Sequence, residues 1–135
     1  MSDQTVEYFP TTRPWREKDG RLSLIGMTCA HCGTRAFPAR EVCSGCGRDD
    51  RLEEVELDSA GTLYTFSEVH VGPKGFPTPY VIGYVDLDAG VRVLAQINGT
   101  AADLKVGERV TAHVGPIRQR GDGTDVISYR FGRSA

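Results

Sequence analysis

The residues best suited to chemistry are four cysteines in two pairs, Cys29-Ala30-His31-Cys32 and Cys43-Ser44-Gly45-Cys46. They are the only cysteines in the chain, ten residues lie between the pairs, and a glycine follows each pair (Gly33, Gly47). In a C-x2-C-G turn the two thiolates point at one centre and backbone N–H groups can point at the sulfurs. The glycine takes the positive φ that closes the turn. Two such turns supply four soft ligands and leave no open coordination position. The spacing therefore predicts a structural Zn²⁺ held by Cys29, Cys32, Cys43 and Cys46, not a catalytic Lewis acid. Four thiolates also suit iron in a redox centre. His31 is a further imidazole inside the first turn, at a position that suits solvent exposure better than ligation. Two disulfides would need an oxidising compartment, and nothing in the chain points to one.

Elsewhere no enzyme constellation stands out. His31, His70 and His113 lack the pattern of a nucleophile–base pair, and no cysteine is spare to act as a nucleophile. Gly72–Gly75 and Gly121–Gly123 lack the strand–loop–helix context of a phosphate loop. Asp86 and Asp88 flank a tight turn before Gly90, and turn chemistry accounts for them. His113 alternates with Ala112 and Val114 and is expected to face outward from a strand.

The chain has 135 residues, enough for one medium domain or two very small ones. Hydrophobic residues make up 39% and charged residues 25%, as in ordinary globular proteins, and the formal net charge is -2. That charge argues against a dedicated nucleic-acid binder, whose binding domain is usually basic. No apolar stretch is long enough to span a bilayer. The N-terminus has no basic region followed by an apolar core, so a signal peptide is not expected. Asn98-Gly99-Thr100 reads as a turn, and a cytoplasmic location with reduced thiols is the consistent expectation.

The elements that must position the cysteines follow from pattern. Residues 1–10 look polar and untethered apart from Tyr8-Phe9-Pro10. A short helix is expected next, capped by Thr11 or Thr12, with Pro14 in its first turn and Gly20 at its end. It would carry Trp15, the only tryptophan, among charged neighbours. Leu22–Met27 reads as a strand into the first metal turn and Arg35–Pro38 as a strand leaving it. Two such turns gripping one ion make a rubredoxin-like zinc ribbon. A unit this small draws much of its folding free energy from the metal, on the order of 10 kcal/mol in comparable peptides. Phe37 is expected to plug it.

Past Asp49-Asp50-Arg51 a series of β-like runs begins: Glu54–Leu57, Thr62–Val71, Tyr80–Leu87, Val91–Ile97, Arg109–Val114 and Thr124–Phe131. Val91, Val93, Ala95 and Ile97 alternate with Arg92, Leu94 and Gln96, which gives one buried face. Ala101–Leu104 reads as a short helical turn between the third and fourth barrel strands, an order that suits a five-stranded OB-fold. Gly61 and Gly83 fit as points of close backbone approach. The expected fold is thus mainly β: an N-terminal segment with a short helix (1–21), a zinc ribbon (22–51) and an OB-fold barrel (52–135).

Several aromatic residues could make contacts. Tyr64, Phe66, Tyr80 and Tyr84 lie on the first two barrel strands, a face that can stack bases in OB-folds but that also covers apolar interfaces. The loop Gly72–Pro79 holds three prolines and presents Phe76 at low entropic cost. Phe9 and Trp15 on the N-terminal segment, with Phe76 and Tyr80 at this loop, are the candidate anchors for a partner protein.

From about Trp15 to Phe131 the sequence resembles the zinc-ribbon plus OB-fold proteins often called acyl-CoA-associated OB-fold proteins. The resemblance is carried by Lys18–Leu22, Cys29–Gly33, Phe37–Arg40 and Cys43–Gly47 in the first half. In the second it is carried by Gly61–Ser67, Pro79-Tyr80-Val81, Val85-Asp86-Leu87 and Leu104–Gly107. The resemblance implies a non-catalytic accessory subunit of an enzyme acting on acyl-CoA thioesters, of the thiolase or steroid side-chain aldolase type. It implies a heterotetramer with that enzyme and a possible contact with its acyl-CoA, with catalysis on the partner. The competing reading is a single-stranded nucleic-acid-binding OB module with a zinc ribbon.

Overall fold

In the computed structural model, which describes residues 6–134, every regular element is a β-strand. The strands are β1 (Val6–Tyr8), β2 (Trp15–Lys18), β3 (Arg21–Cys29), β4 (Arg35–Ala36) and β5 (Leu52–Asp58). They continue with β6 (Ala60–Val69), β7 (Tyr80–Leu87), β8 (Arg92–Ile97), β9 (Arg109–Gln119) and β10 (Asp125–Arg133).

β6, β7 and β8 form an antiparallel meander. β9 returns to pair with β6, and β10 runs antiparallel to β9. A parallel contact between β10 and β8, at Phe131↔Ile97, closes the barrel. Five strands in this order are an OB-fold. Alternation decides what lies inside: Val81, Val85, Val93, Ile97, Val110 and Phe131 are buried while Tyr84, Arg92 and Leu94 face out. Close packing requires Gly83 and Gly61, as expected: a Cβ at Gly83 would lie 2.7 Å from the Thr65 carbonyl oxygen, and one at Gly61 2.6 Å from that of Asp86. Leu104, buried, is pinned by a single helical turn in which its N–H reaches the Thr100 carbonyl at 3.1 Å.

The second sheet centres on β3, which pairs with β2 and then β4 on one side and with β5 along the other, from Ser23↔Asp58 to Cys29↔Leu52. The strand following the second metal turn therefore lies in the ribbon's sheet before the chain enters the barrel.

Two expectations for the N-terminal segment fail. Residues 11–20 do not form a helix. Pro10–Arg13 is a turn closed by the Arg13 N–H on the Pro10 carbonyl (2.9 Å), and Trp15–Lys18 is a strand. The reason is Asp19-Gly20. With φ of 54° and 76° they form the two-residue loop of a hairpin whose last pair is Lys18↔Arg21. Asp-Gly is a strong short-range hairpin signal because both central positions need positive φ. Nor is the start of the chain untethered: β1 pairs in parallel with β10, Val6↔Asp125 to Tyr8↔Ile127. The rest of that expectation, on residues 1–5, lies outside the described residues.

Ribbon and barrel share one core. Leu22, Leu24, Phe37 and Leu57 of the ribbon belong to the same buried cluster as Leu63, Val85, Val110 and Phe131 of the barrel. Phe37 plugs the seam between the two units, standing edge-on to Tyr129 of β10 with ring centroids 5.3 Å apart. Trp15 packs behind Tyr129 at 6.4 Å, and Tyr8 packs on Trp15 at 6.2 Å.

Candidate metal centre and apolar groove

The two cysteine turns are near copies of each other. In the first, the Gly33 N–H donates to the Cys29 carbonyl and the Cys29 N–H to the Thr34 carbonyl, both at 2.8 Å. In the second, Gly47 donates to Cys43 and Cys43 to Arg48, both at 2.9 Å. Gly33 and Gly47 close the turns with φ of 81° and 79°. The four sulfurs lie within 4.8 Å of one another. Cys29 and Cys46 are 3.8 Å apart and Cys32 and Cys43 3.5 Å. A tetrahedron of Zn–S bonds near 2.3 Å has edges of about 3.8 Å, so the cluster fits a structural zinc ion. The cysteines are unbridged. His31 is exposed and stands outside the converging group.

The local field differs from sulfur to sulfur. Backbone N–H groups of Cys46 and Gly45 draw the Cys43 thiol down to about 6, and the Gly45 N–H lies 3.3 Å from its sulfur. The Thr34 hydroxyl and N–H lower Cys32. At Cys46 the Arg48 N–H favours the thiolate, but burial and the sulfurs of Cys29, Cys32 and Cys43 outweigh it and push the thiol up to about 12. Thiolates this close repel one another, and a positive ion between them relieves that repulsion. Gly45 is where the turns touch: a Cβ there would lie 2.3 Å from Thr34 Oγ1 and 3.3 Å from Cys32 Sγ.

The chain matches the family models described as "ChsH2, rubredoxin-like zinc ribbon domain" over residues 16–53 and "ChsH2, C-terminal OB-fold domain" over residues 54–115. It is 41% identical to a DUF35 domain-containing scaffold protein of Methanocaldococcus jannaschii, covering 88% of this chain and 87% of that one. The chain belongs to the ChsH2-type (DUF35) zinc-ribbon and OB-fold family. This ChsH2-type protein is also 38% identical to the benzoylsuccinyl-CoA thiolase subunit BbsA of Geobacter metallireducens, over 87% of this chain and 80% of the relative. The solved structure described as "Ltp2-ChsH2(DUF35) aldolase" shares the fold, with a TM-score of 0.67 at 24% identity over 84% of this chain and 86% of that one.

Of the four candidate anchors of the ChsH2-type chain, three fall on one side. Phe9, Phe76 and Tyr80 line an apolar groove of about 560 Å³, whose walls include Phe37-Pro38 of the ribbon and Ile82 and Leu94 of the barrel. Phe9 is 60% exposed and Leu94 50%. Phe76 and Tyr80 pack together at 5.5 Å, and the Arg118 guanidinium sits 5.8 Å from the Phe76 ring centre. Trp15 does not line the groove and is half-buried in the seam behind Tyr129. Of the other aromatics, Phe66 packs against the core, while Tyr64 and Tyr84 face out. The Arg92 guanidinium covers the Tyr64 ring at 3.7 Å.

The polar candidates are occupied structurally. Asp86 receives Arg92 at 2.6 Å across the strand pair, and Asp88 receives Arg109. A cross-strand ion pair accounts for Asp86, while Asp88 stands in the turn itself, which the Gly90 N–H closes on the Leu87 carbonyl at 2.9 Å. His113 is exposed as expected, with Nε2 2.6 Å from Asn98 Nδ2, and His70 lies 3.1 Å from Glu68. The ribbon–barrel seam and the short pairing of β8 with β10, confined to Phe131↔Ile97 among the described residues, were not evident from sequence; both depend on how the two sheets meet.

Proposed function

We propose that this chain is a non-catalytic accessory subunit that binds and stabilises a thiolase-like acyl-CoA enzyme and shapes the mouth of its acyl-CoA site. The observation that carries this reading is the 38% identity to the thiolase subunit BbsA along 87% of the chain. A likeness that runs through both ribbon and barrel supports a shared role for the whole unit. Cys29, Cys32, Cys43 and Cys46 hold one structural Zn²⁺. Phe9, Phe76 and Tyr80 anchor the partner, and Trp15 supports them from the seam. The reduced thiols suit the cytoplasm, and the assembly is a heterotetramer with one copy of this chain on each half of a dimeric enzyme.

The test is to express a thiolase-like enzyme of the same organism with and without this chain. Co-elution at micromolar concentration, with loss of solubility or turnover when this chain is omitted, supports the reading. An enzyme fully active alone, eluting separately from this chain, sinks it.

A further inference from the structure

Between β8 and β10 the barrel parts. The two strands pair only at Phe131↔Ile97, and the lower end of β10, Asp125–Ile127, pairs instead with β1. Between these ladders Ser128–Arg130 has no strand beside it on that side, and the outer edge of β8 from Arg92 to Leu94 is likewise unpaired among the described residues. The Asn98 N–H donates to the Phe131 carbonyl across this edge. Backbone direction alternates along a strand, so the N–H and C=O of Leu94 point the same way, into the groove.

We propose that this slot takes an extended apolar segment of the partner enzyme as an added β-strand along the edge of β8. The proposal rests on the partner-subunit reading only for the source of the segment; the slot itself is read from strand edges, lining and charge. An acyl chain would fill the apolar volume but leave the edge groups of β8 without partners, whereas a peptide backbone answers them. The free edge is about 10 Å long at about 3.3 Å per residue, room for three or four residues of an added strand. Every second side chain of that strand would fall against Phe9, Ile82 and Tyr80.

Charge gives the segment one further property. Arg118 beside Phe76, Lys74 on the same loop and Arg13 next to the wall residue Pro14 have no carboxylate at ion-pair distance among the described residues. The nearby Asp125 already accepts from Gln119 Nε2 at 3.1 Å. In a chain of net charge -2, a margin with surplus positive charge fits a segment that carries an aspartate, a glutamate or a terminal carboxylate.

The test starts from the zinc-loaded full chain and a phage-displayed library of random short peptides. Enriched peptides should alternate apolar residues and carry a carboxylate. Leu94→Arg and Phe9→Ala, both at exposed positions, should each weaken them about tenfold without loss of zinc or of the far-ultraviolet spectrum. N-methylation at alternate backbone positions should cost about tenfold and at the intervening positions little, because only alternate amides face β8. The Leu94 amide should gain protection from hydrogen exchange in the complex. A flat N-methyl profile, or an enriched set indifferent to both variants, overturns the proposal. So does a selection that enriches nothing while octanoyl-CoA shifts the ring signals of Phe9, Phe76 and Tyr80, which would give the groove to an acyl chain. None of these failures touches the co-elution test of the partner reading.

Discussion

Phe37→Ala tests whether ribbon and barrel form one cooperative body. Phe37 is 6% exposed, belongs to the common core and stands edge-on to Tyr129. Truncating a buried phenylalanine costs about 3–5 kcal/mol, to which the lost edge-to-face pair contributes about 1 kcal/mol. Because Phe37 also lines the groove, solvent and neighbouring side chains can close part of the gap, which places the expected cost near the lower end, about 3 kcal/mol. For a chain of 135 residues each kcal/mol lowers Tm by about 4 °C, so a fall of about 12 °C is expected. Trp15, the only tryptophan, lies beside Tyr129 and reports the seam by fluorescence, while far-ultraviolet circular dichroism reports the strands. One core requires the two probes to move together in the zinc-loaded protein. A fall of less than about 4 °C, or a fluorescence transition that drops while the dichroism transition stays, would refute the reasoning.

Three further outcomes are expected. Cys43→Ser should abolish binding of about one zinc ion per chain, measured by plasma mass spectrometry, and lower Tm by more than Phe37→Ala does, since structural zinc contributes on the order of 10 kcal/mol; no stoichiometric metal in the wild type would defeat the site. Asp86 is held below the usual carboxylate range by its hydrogen bond to the Arg92 guanidinium, so its contribution is present above the unfolded value near 3.9 and is lost as pH falls through the folded value. Asp86→Asn should therefore cost about 0.5 kcal/mol at neutral pH, and the urea midpoints of wild type and variant, compared in the same metal state, should converge as the solution is acidified. Binding to a generic single-stranded oligonucleotide at about 150 mM salt should be weak or absent by fluorescence anisotropy; submicromolar affinity would favour the nucleic-acid reading instead.

How far the fold could be read in advance depended on the range of the interactions that decide it. The cysteine turns were legible because C-x2-C-G is a local motif: each turn is closed by its own glycine and its own backbone hydrogen bonds. The barrel strands were legible from alternation, as in Val91–Ile97, where every second residue is buried. The segment before β3 is ambiguous in sequence because two local signals compete there. Thr11, Pro14 and Gly20 suit a helix, but Asp19-Gly20 forms a hairpin, and the ladder with β3 rewards it. The pairing of β1 with β10 joins residues more than a hundred apart in sequence, and nothing in Val6–Tyr8 announces its partner. Phe9, Phe76 and Tyr80 could be picked out one by one as aromatic residues on turn-rich segments. That they face a common groove follows only from the way the ribbon leans on the barrel.

The path from Cys32 to Phe37 is short. It runs through Gly33-Thr34 and the two-residue strand β4, which hangs on β3 by the pairs Met27↔Ala36 and Thr28↔Arg35. Phe37-Pro38 then forms one wall of the groove. The ion thus works like a rivet at the foot of that wall. Removing the ion is therefore expected to free that wall of the groove before it disturbs the barrel, whose ladders β6–β7 and β7–β8 do not pass through the cysteine turns. On the proposed function, metal loading and assembly then become a single quality check: a subunit without its ion would present a loosened groove to its partner.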